Sequence, residues 1–193
     1  KKAGFDGIEL HASHGYLITQ FLSKYSNLRE DEYGGDIYNR ARFLFEIVES
    51  IKTKLVDFPV IVRLNGEDGI PGGNTIEEAK IVSKILANKY DVDALHISSG
   101  FHQSRPYRIV PNMSMEKKCY VHLAAQIKRV VNVPVVTVGR ITTLFEAEDI
   151  LKTNKADFVA LGRALIADPD IVNKTLNQNT NIRYCIGCNQ GCI

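Results

Sequence analysis

Gly7-Ile-Glu-Leu-His-Ala-Ser-His-Gly-Tyr16 joins an apolar run to a cluster of polar side chains. It begins as a covered strand, because Ile8 and Leu10 continue a short apolar run from Phe5. It ends in protonatable groups. His11, His14 and Tyr16 follow one another within six residues, and Gly15 lets the backbone bend. A strand that empties two imidazoles and a phenol into a loop builds a site at the carboxyl end of a parallel sheet.

Outward from that strand the same plan recurs. Leu17-Ile18 and Phe21-Leu22 predict one or two helical turns, and Ser23 to Tyr38, with Gly34-Gly35, a polar loop. Leu44, Ile47, Val48, Ile51 and Leu55 recur at helical spacing and predict a helix over 39–55. Pro59 to Leu64 reads as a second strand, followed by a Gly/Pro loop over 65–74. Thr75 with Glu78 is a capping box opening a third helix. Asp93 to Ile97, Pro134 to Val138 and Asp157 to Leu161 complete five strands. The helices after them are predicted over 116–131, from the Thr143/Glu146 capping box to about 153, and over 164–176 around Pro169. Between the third strand and its helix, residues 98–114 form a loop far longer than the roughly 2 to 6 residues usual there, which points to function.

Strand then helix, five times over, makes an α/β chain with a parallel sheet. Two architectures fit: a complete open sheet, or the last five units of a (β/α)8 TIM barrel, whose whole needs about 250 residues. The chain lacks a starting Met and enters a strand almost at once, which favours the partial barrel. We expect residues 1–177 to be that barrel segment and 178–193 to begin a Cys-rich one.

Composition narrows the function classes. Hydrophobic residues make up 45% and charged residues 24% of the 193, ordinary for a globular protein. A net charge of +2 without a dense basic run gives no reason to expect nucleic acid, and no apolar stretch nears the roughly 18 residues of a membrane span. Three of the four cysteines crowd the C-terminus, which is no disulfide framework and suggests a reducing, cytoplasmic setting.

Several groups carry chemistry. Gly139-Arg140 and Gly162-Arg163 follow the fourth and fifth strands. Glycine lets backbone N–H groups approach an anion, arginine adds a bidentate charge, and the last two loops of a barrel form its common phosphate site. Arg63 near the end of an apolar strand either faces an electron-rich cofactor edge or reaches a carboxylate such as Glu9. As neutral imidazoles, His11 and His14 can donate hydrogen bonds to a substrate oxygen, and Tyr16 a proton to a developing carbanion. His102 in the long loop is a candidate second acid; His96 and His122 read as packing and surface. Cys185, Cys188 and Cys192, with Gly187 and Gly191 between them, can wrap a soft metal centre, an iron-sulfur cluster or zinc.

Taken together, residues 4–17, Asn27 through Tyr33-Gly-Gly35 to Asn39-Arg-Ala-Arg-Phe43, the two Gly-Arg pairs and Cys185-Ile-Gly-Cys-Asn-Gln-Gly-Cys192 resemble the C-terminal part of the Old Yellow Enzyme-like NADH:flavin oxidoreductase family. The nearest branch is that of the 2,4-dienoyl-CoA reductases, 2-enoate reductases and trimethylamine dehydrogenase. The resemblance implies a TIM barrel with FMN at its mouth. Arg63 would sit by the flavin N1/C2 edge, and Gly139, Arg140, Gly162 and Arg163 would hold its phosphate. His11 and His14 would polarise a substrate carbonyl, with Tyr16 and His102 as proton donors. Cys185, Cys188 and Cys192 would be three of four ligands to a 4Fe-4S cluster. It implies reduction of the C=C bond of a small-molecule enoate or enoyl-CoA, with FAD and NAD(P)H bound by further domains, and it leaves homo-oligomerisation open. Asp36 and Tyr38 depart from the Ser and Glu common in the long loop, and three strands and the fourth cysteine of the pattern are missing, so that this piece alone is expected to be inert. Rival readings are a metal-dependent barrel hydrolase using His11 and His14, and a Cys-rich electron-transfer or structural metal module.

Overall fold

The computed structural model describes residues 1–104 and 108–192. Residues 105–107 of the long loop predicted over 98–114 lie outside the described residues. Five parallel strands are present: β1 (Ile8–Ala12), β2 (Val60–Asn65), β3 (Ala94–Ser98), β4 (Val135–Thr137) and β5 (Phe158–Val159). The helices are α1 (Leu17–Leu22), α2 (Ile37–Lys54), α3 (Ile76–Asn88), α4 (Val121–Lys128), α5 (Leu144–Lys152), α6 (Arg163–Ala167) and α7 (Ile171–Leu176).

The strand order is β1-β2-β3-β4-β5. A doubly wound sheet reverses direction at a switch point; this one never does. Each crossover advances one strand in the same sense, and right-handed connections then put every helix on the same face. The five units are an arc of a (β/α)8 barrel, which resolves the choice between barrel and open sheet.

Side-chain alternation separates the two faces. On the helix side, Val62, Leu64, Leu95, Ile97 and Val135 pack with Leu44 and Val48 of α2, Val82 and Leu86 of α3, and Leu123 and Ile127 of α4 in one core. On the concave side the register pairs His11 with Arg63, Arg63 with His96, His96 with Val136 and Val136 with Phe158. That row is polar at one end and leaves Phe158 exposed at the other.

Several sequence expectations are met and others shift. Both capping boxes form, Thr75 with Glu78 and Thr143 with Glu146. α2 starts two residues early, at Ile37, because the Asp36 carboxylate accepts from the Asn39 N–H at 2.9 Å. That N-cap explains why Asp is accommodated at this departure from the family pattern. α4 begins at Val121 rather than Glu116. Lys118 has φ 59°, outside the helical region, and Tyr120 is drawn inward, its hydroxyl bonding the Arg108 carbonyl. The helix expected over 164–176 is two, because Pro169 has no N–H to continue the first. β4 and β5 are shorter than their apolar runs.

The 27–43 motif is architectural. The Asn27 amide donates to the carbonyls of Phe21 and Tyr33 at 2.6 Å each, closing the loop. A Cβ at Gly34 would lie 1.9 Å from the Arg29 carbonyl oxygen, so only glycine fits. Arg40, 2% exposed, bridges α2 to the start of α3 through Glu78 at 2.7 Å and Asn74 at 3.1 Å.

Candidate active site

His11, Arg63 and Ser98 stand at the carboxyl ends of β1, β2 and β3, and the loops from those ends converge. The rings of His11 and His14 lie 5.0 Å apart nearly edge to face, His11 and Tyr16 5.2 Å apart, and Tyr16 and His102 4.6 Å apart at 89°. All four sequence-predicted catalytic residues therefore share one mouth. Gly15 makes this approach: with φ 82°, any Cβ there would meet the His102 backbone nitrogen at 2.9 Å.

His14 is pinned in place. Its backbone N–H, at φ 67°, donates to the Asn65 side chain at 3.2 Å. Its Nε2 lies 2.7 Å from Ser98 Oγ. The Asn65 amide donates in turn to Asp68 Oδ1 at 2.9 Å and to the Gly100 carbonyl at 2.8 Å, tying the His14 loop to the loop that carries His102. Burial raises the Asp68 carboxyl, and hydrogen bonds from Ser23, Asn65 and the Asn74 backbone oppose that rise.

Both imidazoles are shifted toward the neutral form. Burial, with the Arg63 charge adding, lowers the pKa of His11, and the same causes take His14 to about 3. The sign for stability follows from linkage. Between the ordinary 6.5 and about 3, the unfolded chain binds a proton that the native His14 refuses, so stability falls as pH drops through that window. We expect His14→Gln to lower Tm at neutral pH and the gap to wild type to narrow at about pH 4.5. A gap independent of pH in thermal melts would show that native His14 takes up the proton as readily as the unfolded chain does.

Arg63 does not pair with Glu9, as one reading of the sequence had it. The Glu9 carboxylate bonds His96 Nδ1 at 2.8 Å, and this hydrogen bond, against burial, lowers the Glu9 pKa. Arg63 donates to Ser98 Oγ at 3.4 Å, and among the described residues its buried Nε has no partner. Burial lowers its pKa and the Glu9 charge opposes this. His96 is thus a partnered member of the concave row rather than packing; a histidine inside an apolar strand, costly without a partner, was the available signal.

The two Gly-Arg pairs also meet. Gly139, Arg140, Thr142, Gly162 and Arg163 line one cavity of about 270 Å³, together with Cys185 and Cys192. Gly139, at φ 122°, lets the chain pass where a Cβ would strike the Tyr120 ring at 2.7 Å, and Arg140 follows at φ 53°. Arg163 donates to the Pro111 carbonyl at 2.5 Å and to the Asn189 side chain, while Arg140 donates to the Met115 carbonyl and leaves Nε buried without a described partner. Two guanidiniums beside two strand-end glycines, one with an orphan N–H, fit a phosphate.

The tail is less complete. Cys185, Cys188 and Cys192 are half-buried free thiols, and Gly187 and Gly191 turn the chain at φ 73° and 78°. Among the described residues no three His, Cys, Asp or Glu side chains are close enough to hold a metal ion. The thiols are not gathered into a ligand set, and neither are His11 and His14 completed by a third ligand. Cys119 stands apart, its thiol pushed up to about 11 by burial.

Comparison with known proteins supplies the family. A profile of the NADH:flavin oxidoreductase / NADH oxidase family matches residues 1–181. The chain belongs to that family. Within this flavin oxidoreductase family the chain is 47% identical over its whole length to an NADH oxidase of Thermoanaerobacter brockii, of which it covers 30%. It is 38% identical, again over its whole length, to a cinnamate reductase of Clostridium sporogenes, covering 31% of it. Among solved structures, 2-naphthoyl-CoA reductase in complex with 2-naphthoyl-CoA superposes with a TM-score of 0.93 at 34% identity, over 99% of this chain and 29% of that one. The chain thus spans about a third of these relatives' length. The family implies FMN, whose phosphate the Gly-Arg cavity fits. Among the described residues no helix is long and apolar enough to cross a membrane.

Proposed function

We propose that this chain is the FMN-binding part of an ene-reductase that reduces the C=C bond of an α,β-unsaturated acid or acyl-CoA. The observation that carries this reading is the meeting of two imidazoles, a phenol and a half-buried guanidinium at one strand-end mouth. The relatives named cinnamate reductase and 2-naphthoyl-CoA reductase support the substrate class.

Gly139, Arg140, Gly162 and Arg163 would hold the FMN phosphate, and Arg63 would place its charge beside the flavin ring. When bound, FMN would supply the hydride chemistry. His11 and His14 donate hydrogen bonds to the substrate carbonyl oxygen and stabilise the negative charge that grows there. Tyr16, with His102 against its ring, delivers the proton to the α carbon. Cys185, Cys188 and Cys192 would be three of the ligands to a 4Fe-4S cluster, which would supply one-electron transfer from NAD(P)H. On this reading a Cys-rich segment starts at residue 178, FAD and the nicotinamide are bound elsewhere in the protein, and the setting is cytoplasmic.

The test is anaerobic. Purified holoenzyme with NADH or NADPH and cinnamate, or a cinnamoyl thioester, should oxidise one nicotinamide per alkene consumed. Nicotinamide oxidation at the same rate with and without any enoate, and no loss of alkene, would overturn the assignment.

A further inference from the structure

The two imidazoles use different ring nitrogens for their serine contacts, the His14 contact buried and the His11 contact partly so. His14 offers Nε2 to Ser98 Oγ at 2.7 Å, and His11 offers Nδ1 to Ser13 Oγ at 3.1 Å. Ser98 is 1% exposed and Ser13 is 0% exposed, so neither hydroxyl proton has water as an easy outlet. A buried O–H without an acceptor loses its bond to water with nothing in return.

Hydrogen-bond accounting then fixes the direction at Ser98. Its described side-chain neighbours are Arg63 Nη2, at 3.4 Å, and His14 Nε2. A guanidinium only donates, so Ser98 accepts from Arg63. Among the described residues the acceptor left for the Ser98 proton is His14 Nε2, which must then be the unprotonated nitrogen of a neutral ring. The reverse direction, Nε2–H donating to Ser98, strands the serine proton against a guanidinium. The site can impose this arrangement because Ser98 is itself fixed. It ends β3 opposite Asn65, and its carbonyl accepts from the Gly66 N–H at 2.8 Å. At Ser13 the count is simpler: its only described side-chain partner is His11 Nδ1, which therefore accepts.

We propose that Ser98 and Ser13 are positioning residues that set opposite tautomers on the paired histidines, with the proton on Nδ1 of His14 and on Nε2 of His11. Each ring then keeps one N–H uncommitted, and the pair presents two donors to a single oxygen. Arg63 takes part at a distance, since its donation to Ser98 is what turns the serine proton toward His14. The inference rests on the ene-reductase reading for the identity of that oxygen, but the tautomers themselves do not depend on substrate.

The experiment is 15N spectroscopy of histidine-labelled holoenzyme, with the His14 signals assigned by their loss in His14→Gln. Wild type should show a protonated Nδ1 and a bare Nε2 at His14. Ser98→Ala should move the proton to Nε2 or mix the two forms, and lower kcat about tenfold or more with KM little changed, the loss expected when a transition-state donor is misdirected. Ser98→Thr keeps the hydroxyl and should restore both the tautomer and kcat. A protonated Nε2 in wild type, or the same tautomer in wild type and Ser98→Ala, would overturn the proposal. If the tautomer moves as expected while no enoate is turned over, the assignment of the serines stands and the substrate reading falls.

Discussion

Replacing Tyr16 by Phe should lower enoate turnover about 10²- to 10³-fold while leaving FMN content and KM near wild type, the range expected for loss of a positioned general acid. Tyr16 is half exposed at the mouth, so removing its hydroxyl opens no core cavity. The ring also keeps its edge-to-face contact with His102, 4.6 Å away, because that contact needs only the ring. His102→Ala should cost less, since it removes the group that holds Tyr16 rather than the acid itself. The double variant should fall little below Tyr16→Phe alone, because residues acting as one unit are not additive. Stopped-flow reoxidation of reduced holoenzyme by the enoate reads this step directly. If Tyr16→Phe reacts normally and His102→Ala carries the large loss, the roles of the two are exchanged. The paired histidines should contribute no limb to the pH profile near neutrality, since burial holds both below the ordinary imidazole range.

The second large effect is expected at the phosphate cavity. Arg163→Ala should weaken FMN binding by about 10- to 100-fold, the factor corresponding to one charge-assisted hydrogen-bonding group of roughly 1.5–3 kcal/mol. Arg140→Ala should do the same, and the double variant should be isolated without flavin. Lysine at 163 should recover only part of the loss, because an ammonium cannot reproduce the two-pronged donation. Arg163 also anchors the Pro111 carbonyl and the Asn189 side chain, so its loss frees the strap of residues 109–115 and the thiol tail over the cavity. Fluorescence titration of FMN into stripped holoenzyme measures the affinities. Wild-type affinity in both single variants would place the phosphate elsewhere.

What was legible in the sequence was local. β-Branched runs gave five strands, two capping boxes gave two helix starts, and repeated Gly-Arg after consecutive strands gave the anion cavity. The polar cluster at the mouth was legible because His11, His14, Gly15 and Tyr16 lie beside one strand end. What could not be read was the pairing between distant segments. Ser98 reaches His14 across 84 positions and His96 reaches Glu9 across 87, through strand register that no single segment encodes. Asn65 looked like the first residue of a loop, yet it ends β2 and its amide joins the loops that carry His14 and His102. The misplaced start of α4 has the same origin. Residues 116–120 have helical composition, and the Tyr120 contact to Arg108 overrides it.

Side chains from five strand ends should encircle one flavin, and a crystal structure of the FMN-loaded holoenzyme would reveal this. Density for the phosphate is expected between the Gly139-Arg140 and Gly162-Arg163 turns, with Arg63 against the ring's N1/C2 edge and His11, His14 and Tyr16 over its open face. A flavin bound away from the Gly-Arg cavity, or a metal ion held by His11 and His14 at the mouth, would contradict it.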